Sequence, residues 1–292
     1  LALTVALWQR GGLSWGQVLV RSWRAYHANQ FGARSAQYAY YALLSVFPLL
    51  ILLVTGVAHL PLADVVEGTL EVAGKGLPQE VHRLFAAQAR DIQRQSSTGL
   101  VLASSLVLAI AGSRLFVTIS NALNSAYGVV ETRRFFKVYG QAFLLNVAAS
   151  ILGFVAMVLL VVGPMAARWV ADLALPVGAL HVLLQSGVRW SVVAAFLWIY
   201  TSTIYYVAPN VRLAWYWLSP GCVIATAGWI GVSQGFRLYV ENLARYNETY
   251  GAIGGGVVLL IGFDLTGALL LFGGQVNAVI HQAATRREQS GG

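Results

Sequence analysis

The chain has 292 residues, of which 58% are hydrophobic and only 10% charged, with a formal net charge of +8. A soluble domain carries roughly 25% charged residues, so this composition excludes water as the sole solvent. The basic excess would point to nucleic acid in a soluble protein. Here it falls mostly at the ends of apolar blocks, where Arg and Lys anchor helices at headgroups, and no nucleic-acid partner is expected.

The first residues, LALTVALWQR, are too short and wrongly flanked for a cleavable signal peptide. Residues of about 13–32 place Leu13, Val20, Trp23 and Phe31 among arginines, which predicts a helix lying in the headgroup layer. A first span follows over about 37–58, with Tyr38, Tyr41 and Ser45 inside it and Pro48 as an expected kink. In the segment 61–97, Leu62, Val65, Val66, Thr69 and Leu70 recur at helical spacing, and Val81, Leu84, Phe85 and Ile92 do so after Pro78. Gly74-Lys75-Gly76 separates the two runs, so a helical hairpin on the outer mouth of the bundle is expected. Further spans cover about 98–119, 141–165, 188–208, 217–240 and 254–280, each near the ~20 residues that cross a bilayer.

No strand-like alternation is present. The expected fold is therefore all-α: a single membrane domain over 1–292, built as a bundle of about six transmembrane helices. An interfacial N-terminal helix and an extracytoplasmic helical hairpin complete it. An even number of spans puts both termini on one side, and the slight excess of basic residues on that side assigns it to the cytoplasm. Cys222 is the one cysteine, so no intramolecular disulfide can form. His27, His59, His82, His181 and His281 are scattered without HExxH or CxxC spacing, which leaves no local metal motif. No GxxxxGK[ST] loop occurs either, and no cofactor is expected.

Polar groups inside the spans are the candidates for function. Asp264 lies about ten residues into the sixth span, roughly 15 Å deep and close to the bilayer centre. An acid there costs roughly 2.5–3.5 kcal/mol unless it faces the interior, meets water or is protonated. It is either a coupling or substrate-contact residue, or a neutral acid bonded to Tyr, Ser or Thr on a neighbouring helix. Arg114 either reaches the headgroups or pairs with Asp264. Together with Asn146, Gln275, Asn277, Tyr41, Ser45, Asn121 and Asn124 they define a candidate polar groove for a charged headgroup. The alternative is a set of interhelical hydrogen bonds worth about 0.6 kcal/mol each. Gly228, Gly231 and Gly235 are expected to let helices approach closely, whereas Gly254, Gly255 and Gly256 form either another packing site or a hinge.

Two blocks carry a resemblance. SAQYAYYALLSVFPLLILL at 35–53 and YGAIGGGVVLLIGFDLTGALLLFGGQVNAV at 250–279 are similar to the first and last spans of the YihY/BrkB family of bacterial inner-membrane proteins, formerly mislabelled as ribonuclease BN-like. The chain departs from that pattern at Asp264, where the family usually has no acid, and at Gly273-Gly274-Gln275, where it has Gly-Ala-Glu. Gln275 can only hydrogen-bond, so no charged role carries over. The resemblance implies an inner-membrane location, cytoplasmic termini and an all-helical bundle. It implies no settled activity, and envelope lipid or amphiphile transport is the most compatible suggestion.

RNA cleavage needs a water-facing cluster of acids or histidines, and no nucleophile–base pair is visible, so no enzyme is expected. The functional expectation is a transporter or exporter of a lipid or other amphiphile, not nucleotide-driven by itself, with membrane lipids as partners. The alternative is a structural or adaptor envelope protein that binds a partner through the outer hairpin. The oligomeric state is left open.

Overall fold

Peptide groups in lipid are satisfied only within helices or closed barrels, and the computed structural model is helical in its regular elements. It describes residues 8, 10–58, 98–174, 178–211, 213, 217–243 and 251–290. A short 3-10 turn at Arg10–Gly12 precedes α1 (Trp15–Ala28), α2 (Phe31–Ala58), α3 (Thr98–Tyr127), α4 (Phe135–Ala174), α5 (Gly178–Val207), α6 (Pro220–Leu243) and α7 (Gly251–Ser290). Phe31–Leu52, Thr98–Tyr127, Phe135–Gly153 and Gly255–Arg287 are each long and apolar enough to cross a membrane, and Val193–Val207 is a shorter apolar stretch. The chain is thus an all-helical membrane protein. The expected outer hairpin, 61–97, lies outside the described residues.

The N-terminal helix ends earlier than the expected 13–32. It starts with a capping box: Ser14 Oγ accepts from the Gln17 N–H at 3.2 Å, and Gln17 Oε1 accepts from the Ser14 N–H at 3.0 Å. It stops at Ala28 because Gln30 takes a left-handed φ of 54°, a conformation that redirects the chain. Phe31 therefore belongs to α2, where it is wholly buried, rather than to a membrane-facing stripe.

Other boundaries move outward. α3 continues to Tyr127, past the expected end at 119, because Ser120 and Asn124 are buried between helices instead of marking an exit. α2 runs through Pro48 as one helix. α4 and α7 have 40 residues each, or about 60 Å at 1.5 Å per residue, twice the hydrocarbon thickness. Part of each therefore projects beyond the lipid or crosses it at a steep tilt.

Packing on α3 is inverted relative to a soluble helix. Leu102, Leu106 and Ile110, four residues apart, are 65%, 63% and 57% exposed, while Ser104, Ser113, Thr118, Ser120 and Asn124 are buried. In water that arrangement would cost stability. In lipid it is the expected one, because tails are as apolar as Leu and small or polar side chains make the helix contacts.

The hub is the second half of α7. Leu270, Leu271, Val276, Ala278 and Ile280 are buried, packed into clusters with Val18 of α1, Phe31 of α2, Ala122, Leu123 and Ala126 of α3, Tyr205 of α5 and Cys222 of α6. Glycines permit this. A Cβ on Gly221 would strike the Gly273 carbonyl, and one on Gly273 would meet the Gly221 carbonyl. Gly274 accommodates Leu123, Gly267 accommodates Tyr38, and Gly112 accommodates the Asn146 amide. Of the three glycines expected to pack on α6, only Gly228 does so, with a Cβ there lying 2.8 Å from Leu269. Gly231 and Gly235 face open space, so their spacing does not mark a helix crossing.

Candidate functional site

α7 brings its acid to the beginning of α2. Asp264 Oδ1 accepts from Ser35 Oγ at 2.6 Å, and the same hydroxyl lies 2.9 Å from the Gly32 carbonyl one turn back. Tyr26, near the end of α1, closes the group. Burial pushes its phenol above the ordinary tyrosine value, the neighbouring Ser35 hydroxyl opposes that, and the Asp264 charge adds to it. Asp264 is half-buried. It stands level with the second turn of α2 and beside α1.

Arg114 is not its partner. The guanidinium side chain is exposed on α3, and no Arg114–Asp264 ion pair forms among the described residues. Among the described residues Asp264 thus meets the Ser35 hydroxyl rather than a cation. Three large apolar side chains precede it on the same helix face: Val257, Leu260 and Ile261, all exposed, lie seven, four and three residues before it.

The remaining polar candidates are distributed among separate contacts. Gln275 Oε1 accepts from Asn29 Nδ2 at 2.9 Å, joining α7 to the α1–α2 turn. Asn277 caps α6 from outside: its Oδ1 accepts from the Gly221 N–H at 2.8 Å, and its Nδ2 donates to Ser219 Oγ at 3.0 Å. The Gly221 N–H is one that a helix start leaves without an intrahelical partner, and Ser219 Oγ itself accepts from the Cys222 N–H at 3.2 Å. Asn146 Nδ2 donates to the Leu108 carbonyl at 3.1 Å. Asn124 donates to Glu131 at 2.9 Å and accepts from the Asn210 N–H at 2.6 Å. Ser45 bonds back to the Tyr41 carbonyl at 2.7 Å, Tyr41 is half-buried, and Asn121 is exposed. Gly254, Gly255 and Gly256 lie in the first turns of a continuous α7, and a Cβ on Gly256 would meet nothing.

One centre is not evident from the sequence, where a basic residue at the end of an apolar block reads as a headgroup anchor: that of Arg133. Its Nε and Nη2 donate to the two Glu131 oxygens at 2.8 and 2.7 Å. Nη2 also reaches Ser120 Oγ at 3.0 Å and the Ala208 carbonyl at 2.9 Å, and Nη1 reaches Gln141 at 2.9 Å and the Val207 carbonyl at 3.4 Å. One guanidinium therefore ties α3 and α4 to the last carbonyls of α5, where a cation also suits the helix dipole. Its available signal was a Glu-x-Arg step in the short connection between two spans.

The paired guanidinium lowers the Glu131 carboxyl from 4.5 to about 2. A group depressed in the folded state contributes stability that is complete above its unfolded value and is lost as pH falls through the folded one. Melting in detergent should therefore show this contribution undiminished at neutral pH and falling between about 4.5 and 2. In Glu131→Gln that part of the acid dependence should vanish, and an unchanged acid profile would remove Glu131 as its cause.

Comparison with known proteins follows the same outline. The family model described as virulence factor BrkB matches residues 22–292, which include both glycine- and tyrosine-bearing blocks. The ribonuclease-like protein YfkH of Bacillus subtilis (strain 168) is 36% identical over 259 residues, covering 88% of this chain and 92% of that protein. No solved structure matches.

Proposed function

The chain belongs to the BrkB family of membrane proteins, and from that premise we propose that it is an inner-membrane transporter or exporter of a lipid or other amphiphile, with both termini cytoplasmic. The observation that carries this reading is the placement of Asp264. A half-buried carboxylate that, among the described residues, meets Ser35 and not a cation ends an exposed stripe of Val257, Leu260 and Ile261. An amphiphile needs that pairing: apolar surface for its tail, and a polar group beside it for a headgroup that donates hydrogen bonds or carries an ammonium. Among the described residues Asp264 is accompanied by a serine and a tyrosine, and no group of three or more acids, cysteines or histidines forms that could hold a metal ion. With no nucleotide loop in the sequence, any energy source acts through an ion gradient or a separate subunit.

Proteoliposomes carrying a fluorescent aminophospholipid test the proposal. Asp264→Asn keeps the shape and the Ser35 contact but removes the charge. It should slow lipid movement about tenfold, equivalent to about 1.4 kcal/mol, with melting and yield unchanged. Equal rates for the two proteins would reject the assigned role of Asp264, and the absence of protein-dependent movement would reject transport of that lipid.

A further inference from the structure

α1 presents three distinct sides. Val18 and Ser22 are buried toward α7, where Val18 packs with Val276 and Ile280. Trp15, Leu19 and Trp23, four residues apart, form an exposed stripe beside that buried side, 39%, 44% and 58% exposed. Gln17, Arg21 and Arg24 are exposed on the other flank, since steps of four and three keep residues on one face. An apolar flank and a basic flank separated by a protein contact are the requirements of a helix lying at a membrane surface, with aromatic rings among the upper acyl carbons and guanidinium groups among phosphates.

The pattern recurs at the same end of the bundle. Phe135 and Phe136, 65% and 87% exposed at the start of α4, are bracketed by exposed Arg134 and Lys137. Trp8 stacks edge-on to Trp15 at 6.2 Å and donates its indole N–H to the Leu218 carbonyl at 2.9 Å, which joins α1 to the exposed Trp217-Leu218 corner before α6. Of the acids at this end, Glu131 is paired with Arg133 and Asp264 faces Ser35 at the start of α2.

We propose that these aromatic and basic patches form a collar that selectively recruits anionic phospholipids from the membrane the chain spans, with Arg21 and Arg24 of α1 as the principal headgroup contacts. Charge complementarity selects the headgroup, and continuity with the lipid-facing helices places it. The inference does not depend on transport: a protein that moves nothing would still gather these lipids around α1.

The test uses the full chain in phosphatidylcholine nanodiscs. Cys222 is buried, so a dansyl label can be directed to Leu19→Cys. Nitroxide-chain phosphatidylglycerol or nitroxide-chain phosphatidylcholine is then added at the same low mole fraction. Two surface cations favour anionic lipid additively, so phosphatidylglycerol should be enriched at the label on the order of tenfold over phosphatidylcholine. In Arg21→Gln/Arg24→Gln the two quenchers should become equivalent. A label at Leu106→Cys on the lipid face of α3, about 12 Å along the helix from the exposed Arg114, should show little preference in either protein. Equal quenching at position 19 in the unaltered protein, enrichment that survives the double substitution, or the same enrichment at position 106 would each overturn the proposal.

Discussion

Replacing Arg133 with alanine is expected to destabilise the bundle by about 3 kcal/mol or more, because removing one member of a buried ionic network leaves its partners without compensation. The side chain is only 11% exposed, and its loss removes the guanidinium's bonds to Glu131, Gln141 and the Val207 and Ala208 carbonyls together. Ser120 would keep its own 2.6 Å bond to the Ala208 carbonyl, so the α3–α5 contact should weaken without disappearing. Arg133→Lys should recover less than half the loss, since an ammonium cannot reproduce a planar fork that reaches a carboxylate and several carbonyls at once. Arg134→Ala, one residue on and exposed, should stay within about 0.5 kcal/mol of the parent. Melting in detergent distinguishes the three, and comparable losses for the Arg133 and Arg134 variants would mean that the network contributes nothing beyond surface charge.

Gly221→Ala and Gly273→Ala should be nearly as damaging, with losses of about 1–3 kcal/mol each. At both positions the added methyl points at the other helix's backbone carbonyl, which cannot rotate away as a side chain can. The helices would have to separate, loosening the Asn277 cap on Gly221 at the same time. Gly256→Ala has no such obstacle. There the gain in helix propensity, up to about 1 kcal/mol, should appear as unchanged or raised stability. Three equal melting temperatures would show that the α6–α7 contact is looser than the structure has it.

The spans were legible in the sequence because hydrophobicity alone decides what lipid will accept. Each of the six apolar blocks lies largely within one helix, four helices are long and apolar enough to cross a membrane, and the BrkB resemblance seen in residues 35–53 and 250–279 extends over the family match to residue 292. Helix ends were less legible. Gln30 offers no glycine to announce its left-handed turn, and the expected span end at 119 falls just before Ser120 and Asn124, which are buried between helices.

The polar set was legible as composition and not as geometry. Depth along a helix can be counted from sequence, whereas the direction around its axis depends on which neighbour packs there. Gln275 and Asn277 illustrate the difference, since two positions apart they reach different partners, Asn29 on one side and Gly221 with Ser219 on another. Arg133 escaped notice for a related reason. Its partners come from α3, α4 and the end of α5, segments with no sequence relation to one another.

Everything above rests on the inverted packing of α3, with large aliphatic side chains outward and hydroxyls inward. Spin labels at Leu106→Cys and Leu108→Cys in lipid bilayers test it through collision with oxygen, which concentrates in hydrocarbon, and with a water-soluble nickel chelate. Leu106 should be reached readily by oxygen and hardly by nickel, while buried Leu108 should be shielded from both. Ready access of nickel to position 106 would contradict the account.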